Sequence, residues 1–82
     1  MAIVRINFNG GDVPVVMGDL PVDDQTPIAN PTPTGSTTNR PFIVAEGMYC
    51  FGLQTARPCK PLWQVIQAVD GETTEATFEL AP

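Results

Sequence analysis

"RPFIVAEGMYCFGL", residues 40–53, carries the clearest structural signal in the chain. Phe42 and Val44 flank Ile43, and beyond Ala45-Glu46-Gly47 the residues Tyr49, Phe51 and Leu53 fall on one face while Met48, Cys50 and Gly52 fall on the other. A period of two is that of a β-strand, in which successive side chains point to opposite faces of a sheet. The stretch therefore reads as strand, turn, strand. In this hairpin Glu46-Gly47 reverses the chain, and Phe42, Val44, Tyr49, Phe51 and Leu53 pack inward.

The same period extends in both directions. Residues 2–8 place Ala2, Val4, Ile6 and Phe8 on one face and Ile3, Arg5 and Asn7 on the other, and "NGGD" at 9–12 supplies glycines for a tight hairpin turn. A second strand, residues 13–18, is expected to pair back on the first. Its Pro14 lacks an amide donor, which suits an edge strand or an outward position. Downstream, "LWQVIQAV" (62–69) places Trp63, Val65, Gln67 and Val69 opposite Gln64, Ile66 and Ala68. A short helix would fit this apolar spacing too, but the Trp, Val and Ile content and the following Asp70-Gly71 favour a strand with a hairpin turn. Residues 73–80 then alternate with Thr74, Ala76, Phe78 and Leu80 inward and Glu75, Thr77 and Glu79 in water. The expected fold class is all-β, a small antiparallel sandwich of about six to seven strands of prealbumin or immunoglobulin-like type.

Between about 19 and 41 the alternation stops. "DLPVDDQTPIANPTPTGSTTNRP" is rich in Pro, Thr, Asn and Asp and reads as a long loop, in which Val22 and Ile28 are the residues able to pin it to the core. Loops beyond ~12–15 residues in compact domains tend to be functional or disordered, and an extended Pro/Thr segment loses less entropy on docking than a flexible one.

At 82 residues the chain forms one domain, 1–82, and buries only ~60–65% of its unfolded surface, which leaves no room for a deep catalytic cleft. Nine prolines and seven glycines argue against long helices. Nine acidic residues against Arg5, Arg40, Arg57 and Lys60 give a net charge of −5, a field that repels nucleic acid and anionic lipid surfaces. No apolar run is long enough to span a bilayer and no secretion signal opens the chain, so a soluble cytoplasmic protein is expected. In such a reducing compartment Cys50 and Cys59 stay as thiols, while pairing across a hairpin would need an oxidising one.

With no histidine, the usual base for a Ser or Cys nucleophile is missing, and no catalytic residue is expected. Cys50 reads as a packed thiol. Cys59 reads as a loop thiol, with mild activation by Arg57 and Lys60 as the sharper reading. Asp12, Asp19, Asp23 and Asp24 sit in turns but match no calcium loop, where 6–8 oxygens must converge, and "NGGD" precedes a strand rather than the helix of a phosphate loop. No metal or cofactor is expected.

The order of elements resembles the PEGA and carboxypeptidase-regulatory-like group of small prealbumin-type β-sandwiches. The resemblance rests on "VPVVMGD" (13–19), "RPFIVAEGMYCFGL" (40–53) and "WQVIQAVDGETTEATFEL" (63–80). The chain departs from that pattern by inserting residues 21–39. Modules of the group are accessory units of larger proteins, so the resemblance implies an interaction module without chemistry. The expected function is accordingly a non-enzymatic interaction or structural module that binds a protein partner through the 21–41 loop or a strand edge. Candidate contact residues are Trp63, Tyr49, Ile28 and Arg40. Two alternatives remain: a ligand- or carbohydrate-binding domain stacking on Trp63 and Tyr49, and a self-associating subunit of a phage or surface assembly. Trp63 itself reads as a core or core-edge residue, the large aromatic that fills the gap between the sheets, in preference to a surface anchor.

Overall fold

Residues 2–8 divide between core and solvent as their alternation requires: Ala2, Val4, Ile6 and Phe8 are buried and Ile3 is exposed. In the computed structural model, which describes residues 1–82, this segment is β1 (Ala2–Phe8). It is followed by β2 (Pro14–Asp19), β3 (Ala29–Thr37), β4 (Pro41–Val44), β5 (Gly47–Leu53), β6 (Cys59–Lys60), β7 (Trp63–Ala68) and β8 (Thr73–Leu80). There is no helix, and hence none long and apolar enough to cross a membrane.

The strands form two four-stranded sheets, ordered β4-β1-β8-β6 and β3-β2-β5-β7, packed as a small β-sandwich. Between them lie Val4, Ile6, Ala76 and Phe78 from the β1 sheet and Val15, Phe51, Ile66 and Ala68 from the β5 sheet. Each large apolar side chain buried there contributes ~1.5–3 kcal/mol. The two strands beyond the expected six are β6 and β3, the latter drawn from the segment read as a loop.

The tight turns occur where expected, but they do not make the expected hairpins. β1 pairs with β4 and, in parallel, with β8, matching Val4 to Thr74, Ile6 to Ala76 and Phe8 to Phe78. Residues 9–13 therefore carry the chain across the sandwich. Ala45-Glu46 does the same, with β4 in one sheet and β5 in the other, and so does Asp70-Gly71 between β7 and β8. The reason is packing. A hairpin at 45–46 would set Phe42 opposite Tyr49 in one sheet, whereas the crossing brings Phe42 and Phe51 together across the core, edge-on at 5.7 Å. Of consecutive strands, only β2 and β3 are neighbours. β2 lies between β3 and β5 rather than at an edge, and its exposed Pro14 is accommodated at the first position.

Residues 9–13 are held by a clip from Thr38 and Asn39. The fully buried Thr38 hydroxyl accepts from the Val13 amide (3.0 Å) and donates to the Gly11 carbonyl (2.9 Å). Asn39, in the left-handed region at φ 66°, accepts from the Phe8 amide through Oδ1 (2.9 Å). Its Nδ2 donates to Phe8 O (3.1 Å) and Asp12 Oδ1 (3.0 Å).

Candidate functional site

β5 is apolar on both alternating positions and β7 carries Trp63 and Val65 on the phase opposite its buried Ile66 and Ala68, which a sheet with one face in water would not require. The inward set, Tyr49, Phe51, Ile66 and Ala68, faces the other sheet. The outward set comprises Met48, Cys50 and Gly52 on β5 and Trp63 and Val65 on β7, with Cys50 opposite Val65 and Gly52 opposite Trp63 in the register. The outer face of the β5 sheet thus needs a cover of its own.

Residues 20–28 supply half of it. Ile28 lies over this face beside Val16, Gly18 and Gly52. At Gly18 a methyl group would run into the Ala29 carbonyl oxygen and come within 3.1 Å of Ile28 Cγ1, so glycine is required for the close approach. Trp63 Nε1 donates to the Thr26 carbonyl at 2.9 Å, fastening the segment at a second point. Val22, 94% exposed, fastens nothing. Beyond this segment, residues 29–37 are not loop but the edge strand β3, bound to β2 with two register shifts and lacking amide donors at Pro31 and Pro33.

The other half of the face is uncovered. Leu20 (62% exposed), Met48 (64%) and Val65 (46%) surround the buried Cys50 and line a shallow depression of ≈ 300 Å³. Asp19 is the only charged residue lining it. On the far side of the segment, Val16, Pro27, Ile28, Pro31, Pro33 and Leu53 line a second open depression of ≈ 440 Å³.

Of the four residues singled out from sequence, two belong to this cover: Ile28 lies beside Gly52, and Trp63 stands opposite Gly52 in the register and donates to Thr26. Trp63 is half-buried but lies outside the inter-sheet core, because the gap between the sheets is filled by Phe42, Phe51 and Phe78. Tyr49 points the other way. Its ring stacks on Phe51 at 5.3 Å and its hydroxyl donates to the Ala45 carbonyl at 2.8 Å, so the two rings form no shared platform for a sugar. Arg40 is exposed and lines a separate depression with Pro41 and Phe42. Leu20, Met48 and Val65, the exposed apolar residues of the depression, are not among those four. The signal for Met48 and Val65 was the second apolar phase of "GMYCFGL" and "WQVIQA", which contrasts with the Glu/Thr outer phase of "TTEATFEL"; Leu20 lies outside both strands.

Both thiols are free. Cys59 is a buried core residue on β6 rather than a loop thiol, and burial pushes both thiols above their ordinary value, opposite to activation. No three acidic or thiol side chains converge in a metal-binding cluster.

Asp23 shapes the covering segment. The Thr26 hydroxyl (2.8 Å) and then the Gln25 amide (3.0 Å) donate to its carboxylate and hold it below the ordinary aspartate range. Hydrogen bonds to the charged form have this effect. Because the folded value lies below the unfolded one, the turn's contribution is complete above the ordinary aspartate range and is lost as pH falls through the depressed value. Trp63 reports on it through Thr26. Acidification through that window is expected to shift Trp63 fluorescence to longer wavelength, and Asp23→Ala is expected to show the shifted emission already at neutral pH. Identical emission from the two proteins at neutral pH would mean that the Asp23 turn does not hold the segment on Trp63.

No protein-family model, no curated protein and no solved structure matches this chain, so the reading of this face rests on its own residues.

Proposed function

We propose that the chain is a non-enzymatic interaction module that docks a protein partner on the uncovered half of the β5 sheet's outer face, with residues 20–28 as its rim. The observation that carries this reading is the grouping of exposed Leu20, Met48 and Val65 around Cys50. Contiguous apolar surface of this kind marks interaction sites on soluble domains. The resemblance to accessory PEGA-like modules points the same way. A net charge of −5, with none of the four cationic residues in this depression, disfavours nucleic acid as the partner. The unpaired thiols fit a reducing compartment such as the cytoplasm.

The test is a pull-down from the native host with the wild-type chain and with the double variant Leu20→Lys/Met48→Lys. Both positions are exposed, so circular dichroism and melting temperature should be unchanged, while the partner captured by the wild type should fall at least ~10-fold, equivalent to about 1.4 kcal/mol. Equal capture by the folded variant would overturn the reading.

A further inference from the structure

The sandwich has four terminal strands: β3, β4, β6 and β7. Three are poor templates for pairing with another chain. β3 contains Pro31 and Pro33 and is irregular in register, β4 spans four residues beginning with Pro41, and β6 spans two, one of them Lys60. Proline, charge, irregularity and shortness are the usual ways of blunting an edge. β7, "WQVIQA", has none of these features. Its backbone bonds only to β5: none of the backbone hydrogen bonds outside the regular ladders involves residues 63–68, and no side chain bonds to its amides or carbonyls. One neighbouring group is already satisfied, because Gln64 Nε2 donates across the sandwich to the Thr77 carbonyl of β8 at 2.7 Å. What remains open is the lateral edge of β7 itself, ~20 Å long at the rise of a strand.

We propose that this edge pairs with the same edge of a second copy of the chain, antiparallel about a two-fold axis, to form a continuous eight-stranded sheet. A second copy is favoured by charge. The chain carries −5, yet β7 and its outward neighbour Met48 carry no ionisable side chain, so two copies meet there without juxtaposed like charges. Register follows from the pleat. Inner faces must stay on one side of the joined sheet, which requires residues of the same face to stand opposite each other. The pairing centred on Val65 does this. It sets the two half-exposed valines against each other, Cβ atoms ~4.5–5.5 Å apart, with each Trp63 opposite the other copy's Gln67. Because the other terminal strands are blunted, the contact closes as a dimer rather than propagating as a filament. Val65 is shared with the outer-face depression, whereas Leu20 and Met48 lie off the β7 edge, so variants at those two positions separate this inference from the outer-face reading.

Sedimentation equilibrium of the wild type across a concentration series tests it, together with Val65→Lys, Val65→Glu and their equimolar mixture. Expected are a wild-type mass twice that of the monomer, a dissociation constant weakened on the order of 100-fold in each single variant by like charges facing across the axis, and dimer recovered in the mixture. A wild type that stays monomeric at millimolar concentration overturns the proposal, as do variants that dimerise like the wild type or a mixture that shows no recovery. A dimer lost in Leu20→Lys/Met48→Lys but kept in Val65→Lys would assign self-association to the outer face and likewise overturn edge pairing.

Discussion

Phe51→Ala is expected to lower the unfolding free energy by about 3–5 kcal/mol, the range for truncating a buried aromatic. Phe51 is fully buried on β5, a strand paired on both edges. Its ring stacks on Tyr49 and meets Phe42 edge-on, so truncation opens a cavity and removes two aromatic contacts. A domain of 82 residues has roughly 4–12 kcal/mol of stability in all, so the loss takes at least about a quarter of it. A urea titration followed by Trp63 fluorescence reads the change. Val22→Ala, at a 94% exposed position, should stay within about 0.5 kcal/mol of wild type. A Phe51 variant within 1 kcal/mol of wild type would mean that the two sheets do not meet through this ring.

Asn39→Ala is expected to cost about 3–4 kcal/mol by two mechanisms that can be separated. The substitution leaves the Phe8 amide and carbonyl without their side-chain partner, and each unmet group of this kind costs ~1 kcal/mol where partly buried. It also places a Cβ-bearing residue other than Asn in the left-handed region, at a cost of roughly 1–2 kcal/mol. Asn39→Gly removes the bonds but relieves the backbone, so it should recover about 1 kcal/mol relative to alanine. Equal melting temperatures for the two variants would mean that backbone strain at this position is negligible. Because Asn39 fastens the end of β1 to the chain just before β4, both variants should also speed amide exchange at Phe8 and Val13 more than at the centre of β5.

The composition of the core was legible residue by residue. Ala2, Val4, Ile6 and Phe8, and likewise Ala76 and Phe78, are buried as their alternation requires. The candidate site was legible only in part. Trp63 and Ile28 were each legible as candidates but not as parts of one cover, because nothing in the local pattern shows that residues 20–28 fold back over Gly18 and Gly52. The double apolar phase of β5 and β7 was visible, and its meaning, a sheet with a partly covered outer face, becomes clear only once the inward set is known. β3 was hidden for a different reason. A strand built as "ANPTPTGST" has weak intrinsic β-preference and prolines that cannot donate, and it exists because β2 offers it a ladder on one side.

By itself the sequence determined the fold class, the places where the chain turns and the face of most strands that points inward. These are local properties, set by a two-residue period and by glycine and proline within a few positions. Only the tertiary structure decided which strands pair. A short turn with glycine in it or just after it can close a hairpin or carry the chain to the opposite sheet, and at residues 9–13, 45–46 and 70–71 it does the latter. The choice rests on contacts between residues far apart in sequence, such as Phe8 beside Phe78 and Phe42 against Phe51, whose burial outweighs the local preference for a hairpin.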